Sequence, residues 1–419
     1  MLVPETARSG EDSRSHQGRP HILVGVTSAQ TCVVLHARVK ALRDAGFRVS
    51  VLSSPGKQLD QLARKEQVAV FSVPMERGIS PLRDVVALVR IWRLIRWLRP
   101  DIVEFSTPKA GLLGILAARF CGIRERIYVL KGLRLETARG FRRRLLGWAE
   151  RIAAGSAHRV VCNSPSLRER ALAMRMGPAS KVILLGKGSS NGVDLARFAP
   201  GASDVRKQLG IEHGAPVIGF SGRLTADKGL PELLEAFAMV LRDIPDAYLL
   251  LVGWFDAAED SLQCRIRSRI EGHPRIICTG FVDDTAAYYR VMDVMVLPSW
   301  REGFPNAVLE AAASGVPVIA TRCTGSCDAV IPEVTGLLVP VGRPEAICDA
   351  VLNLMSNPDR RRGMSAAARA WVAENYADRK VLRLAVDFYV NLSREGTAPA
   401  LHPAGKKLTE AVTGLAASL

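Results

Sequence analysis

Short apolar runs alternate with longer amphipathic segments along most of the chain. His21–Thr27 (HILVGVT) is continuously apolar, the pattern of a strand buried on both faces. Thr31–Ala45 follows with helical spacing, and Gly46 stands where a C-cap glycine belongs. Val49–Leu52 and Val68–Val73 read as strands, Leu82–Leu98 as a helix and Ile102–Phe105 as a strand. The alternation continues through Ile127–Leu130, Phe141–Ala154, Arg159–Cys162 and Ser166–Met176. A stretch rich in Gly, Ser, Asn and Pro then breaks the rhythm, and it restarts at Val217–Ser221. The second series holds Leu230–Leu241, Tyr248–Val252, Ile276–Thr279, Val294–Leu297, Pro305–Ser314 and Val316–Thr321. Alternation of this kind predicts mostly parallel sheets with helices on both faces, here two doubly wound Rossmann-like α/β domains in series. The expected division is a disordered lead-in at 1–20, an N-terminal domain at 21–190, a linker at 191–212 and a C-terminal domain at 213–378. A helix at 379–395 that returns to the N-terminal domain and a flexible tail at 396–419 complete it.

Composition narrows the class. At 419 residues with 48% hydrophobic and 23% charged, the chain is globular and long enough for two cores. No apolar run reaches the ~18 residues of a spanning helix, and residues 1–20 carry no apolar signal core. Most of the eight cysteines sit within apolar segments, as small core residues of a reducing compartment do. Cys323 and Cys327 form a close pair without further ligands at metal-like spacing, so no metal site is expected. Charge is segregated. Residues 1–200 hold 34 Lys and Arg against 15 Asp and Glu, a net of +19, and residues 201–419 a net of −3. A one-sided basic domain suggests an anionic partner. Aromatics at 6% and the lack of a nucleic-acid module speak against nucleic acid. Arg83, Arg90, Arg93, Arg96 and Arg99 with Trp92 and Trp97, and Arg139, Arg142–Arg144 and Arg151 with Trp148, are the pattern of interfacial helices meeting an anionic bilayer.

Two constellations carry chemistry. Ser221-Gly222-Arg223-Leu224 with Lys228-Gly229 follows a strand and opens a helix. Arg223 and Lys228 supply fixed positive charge, and the glycines allow close backbone approach, as a diphosphate requires. Arg301-Glu302-Gly303-Phe304-Pro305 leads into a helix expected to begin at Pro305, end at Gly315 and carry Glu310. Glu302 and Glu310 are suited to accept hydrogen bonds from vicinal diols, and free amides around Gly303 and Phe304 face the space between them. On the N-terminal side, Ser28, with Thr27 and Gln30, and Glu104, Ser106, Thr107 and Lys109, taken to lie past a strand end, are candidate acceptor contacts.

The paired glutamates with Gly303-Phe304-Pro305 between them resemble the motif of family 4 glycosyltransferases, which have the GT-B fold, two such domains facing each other across a cleft. Gly222-Arg223-Leu224 with Lys228-Gly229 is similar to that family's phosphate loop, and Asn191-Gly192-Val193-Asp194 to its linker entry. The resemblance covers roughly residues 21–392 and is nearest to the bacterial branch that builds capsule, exopolysaccharide and lipid-linked oligosaccharide. It implies that Arg223 and Lys228 hold the donor diphosphate, Glu302 the donor hexose, Glu310 the ribose, and Gly280-Phe281-Val282 the base. It further implies retention of anomeric configuration and no metal or other cofactor, in keeping with the lack of an Asp-x-Asp triplet. A UDP-linked rather than GDP-linked donor is expected.

Two departures stand out. Lys131 occupies the place where many relatives carry histidine, as the candidate for contact with a phosphate or leaving group, and Asp328 replaces a glutamate in Thr324–Asp328. The function expected is transfer of a hexose or N-acetylhexosamine to a polyprenyl-diphosphate-linked or oligosaccharide acceptor, by a cytoplasmic protein peripheral on the inner membrane. The alternatives are a nucleotide-sugar 2-epimerase of the same fold and a transferase with a soluble acceptor.

Overall fold

A computed structural model describes residues 19–76, 78–255 and 261–396; the lead-in expected at 1–20 and the tail expected from 396 lie almost wholly outside them. The first sheet contains β1 (His21–Gly25), β2 (Arg48–Ser53), β3 (Ala69–Ser72), β4 (Ile102–Ser106), β5 (Glu125–Leu130), β6 (Arg159–Cys162) and β7 (Val182–Leu184). All pairings are parallel, in the order β3-β2-β1-β4-β5-β6-β7. Between the strands run α1 (His36–Asp44), α2 (Lys57–Glu66), α3 (Pro81–Leu98), α4 (Pro108–Phe120), α5 (Gly140–Ser156) and α6 (Pro165–Ala173). Parallel strands need crossovers, and these helices supply them on both faces. The two faces build separate apolar clusters, one around Ile91, Phe105 and Tyr128, the other around Ile22, Leu42 and Tyr389.

A short α7 (Val205–Gln208) precedes the second sheet, whose strands are β8 (Val217–Ser221), β9 (Tyr248–Val252), β10 (Ile276–Cys278), β11 (Val294–Leu297), β12 (Val318–Thr321) and β13 (Gly336–Val339). These are again parallel, in the order β10-β9-β8-β11-β12-β13. The intervening helices are α8 (Leu230–Asp243), α9 (Ser261–Glu271), α10 (Ala286–Tyr289) and α11 (Asn306–Ala313), and α12 (Pro344–Ser356) and α13 (Pro358–Tyr376) follow the last strand. The chain is thus the two-domain doubly wound α/β molecule that the alternation predicts. Pro305 is the N-cap of α11 and not its first helical residue, because its ψ of 102 is extended. Val193, Phe198, Val205 and Ile211, between the two sheets in sequence, pack into the second core.

The chain crosses between the halves twice, side by side. Val193 N–H donates to the Tyr376 carbonyl (2.8 Å), and Asp378 N–H donates to the Val193 carbonyl (3.0 Å). Beyond this clasp, α14 (Asp378–Gly396) packs against α1. There Tyr389 meets Arg38 and Glu104, which form a buried ion pair (2.7 Å). Glu104 is therefore not past a strand end: it lies inside β4, is 0% exposed and cannot meet an acceptor in the cleft. A buried carboxylate survives in the strand because Arg38 and Tyr389 close over it.

Candidate functional site

Strand order reverses between β1 and β4 in the first sheet, and between β8 and β11 in the second. Crevices at such switch points, beyond the carboxyl ends of the strands, are where open α/β sheets bind ligands. The loop after β8 carries Gly222, Arg223 and Lys228, and the loop after β11 carries Arg301, Glu302 and Gly303. The two candidate constellations therefore flank one switch point, and their side chains interlock. Lys228 Nζ donates to Glu302 Oε1 (2.5 Å), and Ser299 Oγ donates to the same oxygen (2.7 Å). Trp300 N–H donates to the Asp227 carbonyl (3.0 Å), and Arg301 Nη2 pairs with Asp227 Oδ2 (2.7 Å). Burial opposes ionisation of Asp227, yet the Thr225 hydroxyl and the Arg301 and Arg223 guanidiniums hold its pKa below the usual range. Gly222 has a φ of +150 and donates its N–H to the Val252 carbonyl (3.0 Å).

Glu310, on α11, accepts from Tyr289 Oη (3.0 Å). Burial raises its pKa, with Tyr289 and Arg197 opposing. Pro305 and Phe304 are buried, and the Phe304 ring lies 5.1 Å from that of Tyr376, beside the clasp. Val282 packs at the edge of the second core, and Trp254 meets the exposed Phe281 edge-on at 5.2 Å.

The two domains meet at this site. A Cβ on Gly303 would lie 2.4 Å from the Lys131 carbonyl, and one on Gly325 2.5 Å from the Gly303 carbonyl. Only glycine lets the loops after β5, β11 and β12 come this close. Glu302 N–H donates to the Thr324 carbonyl (3.1 Å), Thr324 Oγ1 to Glu136 Oε1 (2.8 Å), and Gly325 N–H to Ser166 Oγ (2.8 Å). Asp328 Oδ2 accepts from the Ser166 backbone N–H (3.0 Å), at the start of α6. The loop that departs from the family pattern is thus a domain-to-domain contact.

Lys131 lies next to Gly132 at this junction, and its ammonium makes no hydrogen bond among the described residues. Burial, then the charge of Arg38, pulls its pKa down to about 8, with Glu104 opposing. Ser28 is half-buried in the loop after β1, at the start of the turn Ala29–Leu35. Lys109 is engaged by Asp84 (2.5 Å) and the Gly78 carbonyl. Thr107 and Thr27 join through their hydroxyls (2.7 Å). The structure brings Lys228, Glu302, Gly303 and Lys131 together and keeps Glu104 and Lys109 in structural pairings. Sequence reading missed Arg301 and Asp227; the guanidinium directly before Glu302 is the signal that was available. Among the described residues, no three His, Cys, Asp or Glu side chains converge as a metal site requires.

Comparison with known proteins gives matches over both halves. A family described as "Glycosyl transferases group 1" matches residues 215–357, and a "Glycosyl transferase 4-like domain" matches 33–188. The capsular polysaccharide biosynthesis glycosyltransferase CapM of Staphylococcus aureus is 31% identical over 353 residues, 84% of this chain and 92% of that protein. The Escherichia coli UDP-Gal:alpha-D-GlcNAc-diphosphoundecaprenol alpha-1,3-galactosyltransferase is 28% identical over 312 residues, 71% of this chain and 79% of that protein. A GDP-mannose-dependent alpha-mannosyltransferase of Mycolicibacterium smegmatis is 31% identical over 364 residues, 83% and 90% of the two chains. Among solved structures, Anabaena Alr3699/HepE in complex with UDP superimposes with a TM-score of 0.72 at 20% identity, over 89% of this chain and 100% of that one, a likeness of fold.

Proposed function

Because this chain belongs to the family 4 (group 1) glycosyltransferases of the GT-B fold, in their capsule and lipid-linked glycan branch, we propose that it moves a hexose or N-acetylhexosamine from a UDP-sugar to a polyprenyl-diphosphate-linked glycan. Transfer proceeds with retention of configuration and without a metal ion. The observation that carries the reading is the Lys228–Glu302 pair at the second switch point, 2.5 Å long, with the adjoining Gly303 packed against the Lys131 carbonyl of the facing domain. A donor entering the crevice exchanges this pair for its own groups. Lys228 and Arg223 take the diphosphate, in place of a divalent cation, and Glu302 takes the hexose hydroxyls. Glu310 holds the ribose, Val282 lines the base, and Lys131 faces the leaving group. Retention follows the family resemblance, and UDP follows the donor named for the E. coli relative.

The basic domain supports a membrane-borne acceptor. Helix α4 packs between α3 and α5, and both outer helices turn apolar stripes to solvent. Leu82, Val85, Val86 and Val89 line one, Phe141, Leu145, Trp148 and Ile152 the other; Leu82 is 84% and Phe141 78% exposed. Arginines flank both stripes. Such helices lie in a headgroup region while arginines meet anionic lipid. Among the described residues no helix is long and apolar enough to cross a membrane. The protein is accordingly proposed to act peripherally, on the cytoplasmic face of the inner membrane.

Calorimetry tests the donor half of the reading. UDP should bind the full chain more tightly than GDP, with or without EDTA. Arg223→Ala and Lys228→Ala should each weaken UDP binding more than uridine binding. Equal losses for UDP and uridine would refute the diphosphate assignment, and a requirement for Mg²⁺ would refute metal independence.

A further inference from the structure

Beside the donor loop the cleft holds a second concentration of positive charge. Arg301 spans the two domains: Nη2 meets Asp227 of the donor loop at 2.7 Å, while Nε donates to Thr137 Oγ1 of the facing domain at 3.2 Å. Thr137 closes the short turn Arg134–Glu136, so Arg134 sits on the same side of the cleft. The charged groups acting on the Arg134 guanidinium are those of Arg301, Arg142 and Arg223, with Asp227 as the carboxylate among them. Burial first, and then these like charges, draw its pKa below the usual arginine range. Arg134 and Arg301 are half-buried and Arg142 is exposed at the mouth of the cluster; guanidiniums gathered around one carboxylate are relieved by a multivalent anion, and their planar forks match phosphate oxygens two at a time.

We propose that Arg134, Arg301 and Arg142 form a second anion site that takes the diphosphate of the lipid-linked acceptor; the assignment rests on the reading of the protein as a transferase to such an acceptor. Three observations favour the acceptor over the donor. The donor loop has its own cation in Lys228, seated on Glu302 at the switch point. The cluster draws on both domains, whereas Gly222, Arg223 and Lys228 come from one. It also opens onto α5, whose first residues carry Arg142 and the exposed Phe141. From there Leu145, Trp148 and Ile152 continue one apolar stripe at helical spacing. A prenyl chain leaving the diphosphate finds that stripe at once, and the stripe is the surface proposed to meet the bilayer.

The test uses farnesyl diphosphate and inorganic pyrophosphate as probes, titrated into the full chain saturated with UDP. Wild type should bind farnesyl diphosphate without displacing UDP, and more tightly than pyrophosphate. The double variant Arg134→Gln/Arg142→Gln, which leaves the donor loop and its Arg301–Asp227 pair intact, should bind farnesyl diphosphate about tenfold or more weakly, with UDP affinity moved by less than about threefold. Should that variant fail to fold, Arg134→Lys/Arg142→Lys keeps the charge but loses the fork, and should show a smaller loss in the same direction. Equal farnesyl diphosphate affinity in wild type and variant would overturn the proposal. So would parallel loss of UDP affinity or displacement of UDP, either of which assigns the cluster to the donor. Pyrophosphate binding as tightly as farnesyl diphosphate would remove the lipid part of the claim. If UDP itself fails to bind wild type, the transferase reading fails, and the two failures are thereby told apart.

Discussion

Glu302 holds two partners through one carboxylate oxygen, Lys228 Nζ and Ser299 Oγ. Replacing it with alanine frees Lys228 for phosphate but removes the proposed hold on the hexose. Nucleotide affinity should therefore survive while kcat falls roughly 10- to 150-fold, the equivalent of ~1.5–3 kcal/mol for a charged hydrogen bond. Unchanged turnover in Glu302→Ala would remove it from the site. Lys131 gives a pH signature. With its pKa drawn down to about 8, it is cationic below that pH and neutral above. If its charge meets the leaving group, kcat falls as pH rises through about 8, and Lys131→Arg extends the activity to higher pH. A pH–rate profile with the same alkaline limb in both proteins would contradict the role. That the Arg223–Lys228 and Glu302 segments follow strands and open helices was legible because composition and spacing coincide in short segments. Glu104 misled, although it falls within the strand read at Ile102–Phe105, because its partners Arg38 and Tyr389 lie far away in sequence and no local pattern shows that its carboxylate is buried and paired.

Two elements tie the basic domain together through buried polar groups. On α5, Glu150 accepts from Tyr128 Oη of β5 (2.6 Å), and burial lifts its pKa to about 7, with the tyrosine opposing. The folded state thus binds this proton more tightly than the unfolded chain, whose value is about 4.5. The contribution is favourable at low pH and is lost as pH rises from about 4.5 through about 7. Glu150→Gln should raise the melting temperature at pH 8 relative to wild type and bring little gain at pH 4.5, followed by calorimetric melts. A gain of equal size at both pH values would show that the carboxyl is not the group responsible. On α14, Tyr389→Phe removes one partner from the buried Arg38–Glu104 pair. It should cost about 1–3 kcal/mol of stability in denaturant titrations, the range for an abandoned buried polar group. Most strands and the longer amphipathic helices α3, α5 and α8 were legible from their periods, whereas α2, α9, α12, α13 and β13 were not read. The helix α4 was not, because Gly-Leu-Leu-Gly-Ile-Leu-Ala-Ala is apolar all round and has no stripe to detect. The three residues of β7 are too few for a pattern.

At the scale of the whole molecule, two sheets bring their carboxyl ends face to face, and glycines 303 and 325 let the loops touch. The two chain crossings lie side by side at Val193 and Tyr376, so one clasp joins halves of opposite charge. That asymmetry was plain in the sequence, but the way α3 and α5 flank α4 was not, since it depends on strand order. The basic half should sediment with anionic vesicles at low salt and leave them at high salt, each arginine near the surface contributing ~1 kcal/mol. A variant with Arg90, Arg93, Arg143 and Arg144 changed to Gln and Trp148 to Ser should stay in the supernatant. Equal binding of the two proteins would move the membrane contact elsewhere. The central claim is sugar transfer to a lipid-linked acceptor, and it is tested most directly by following the sugar itself. A panel of radiolabelled UDP-sugars is incubated with the protein, EDTA and a polyprenyl-diphosphate-linked sugar in anionic vesicles. The account predicts that label from one donor enters the lipid phase in a linkage of unchanged anomeric configuration; label that stays on the nucleotide, or returns as the donor's epimer without acceptor, would contradict it.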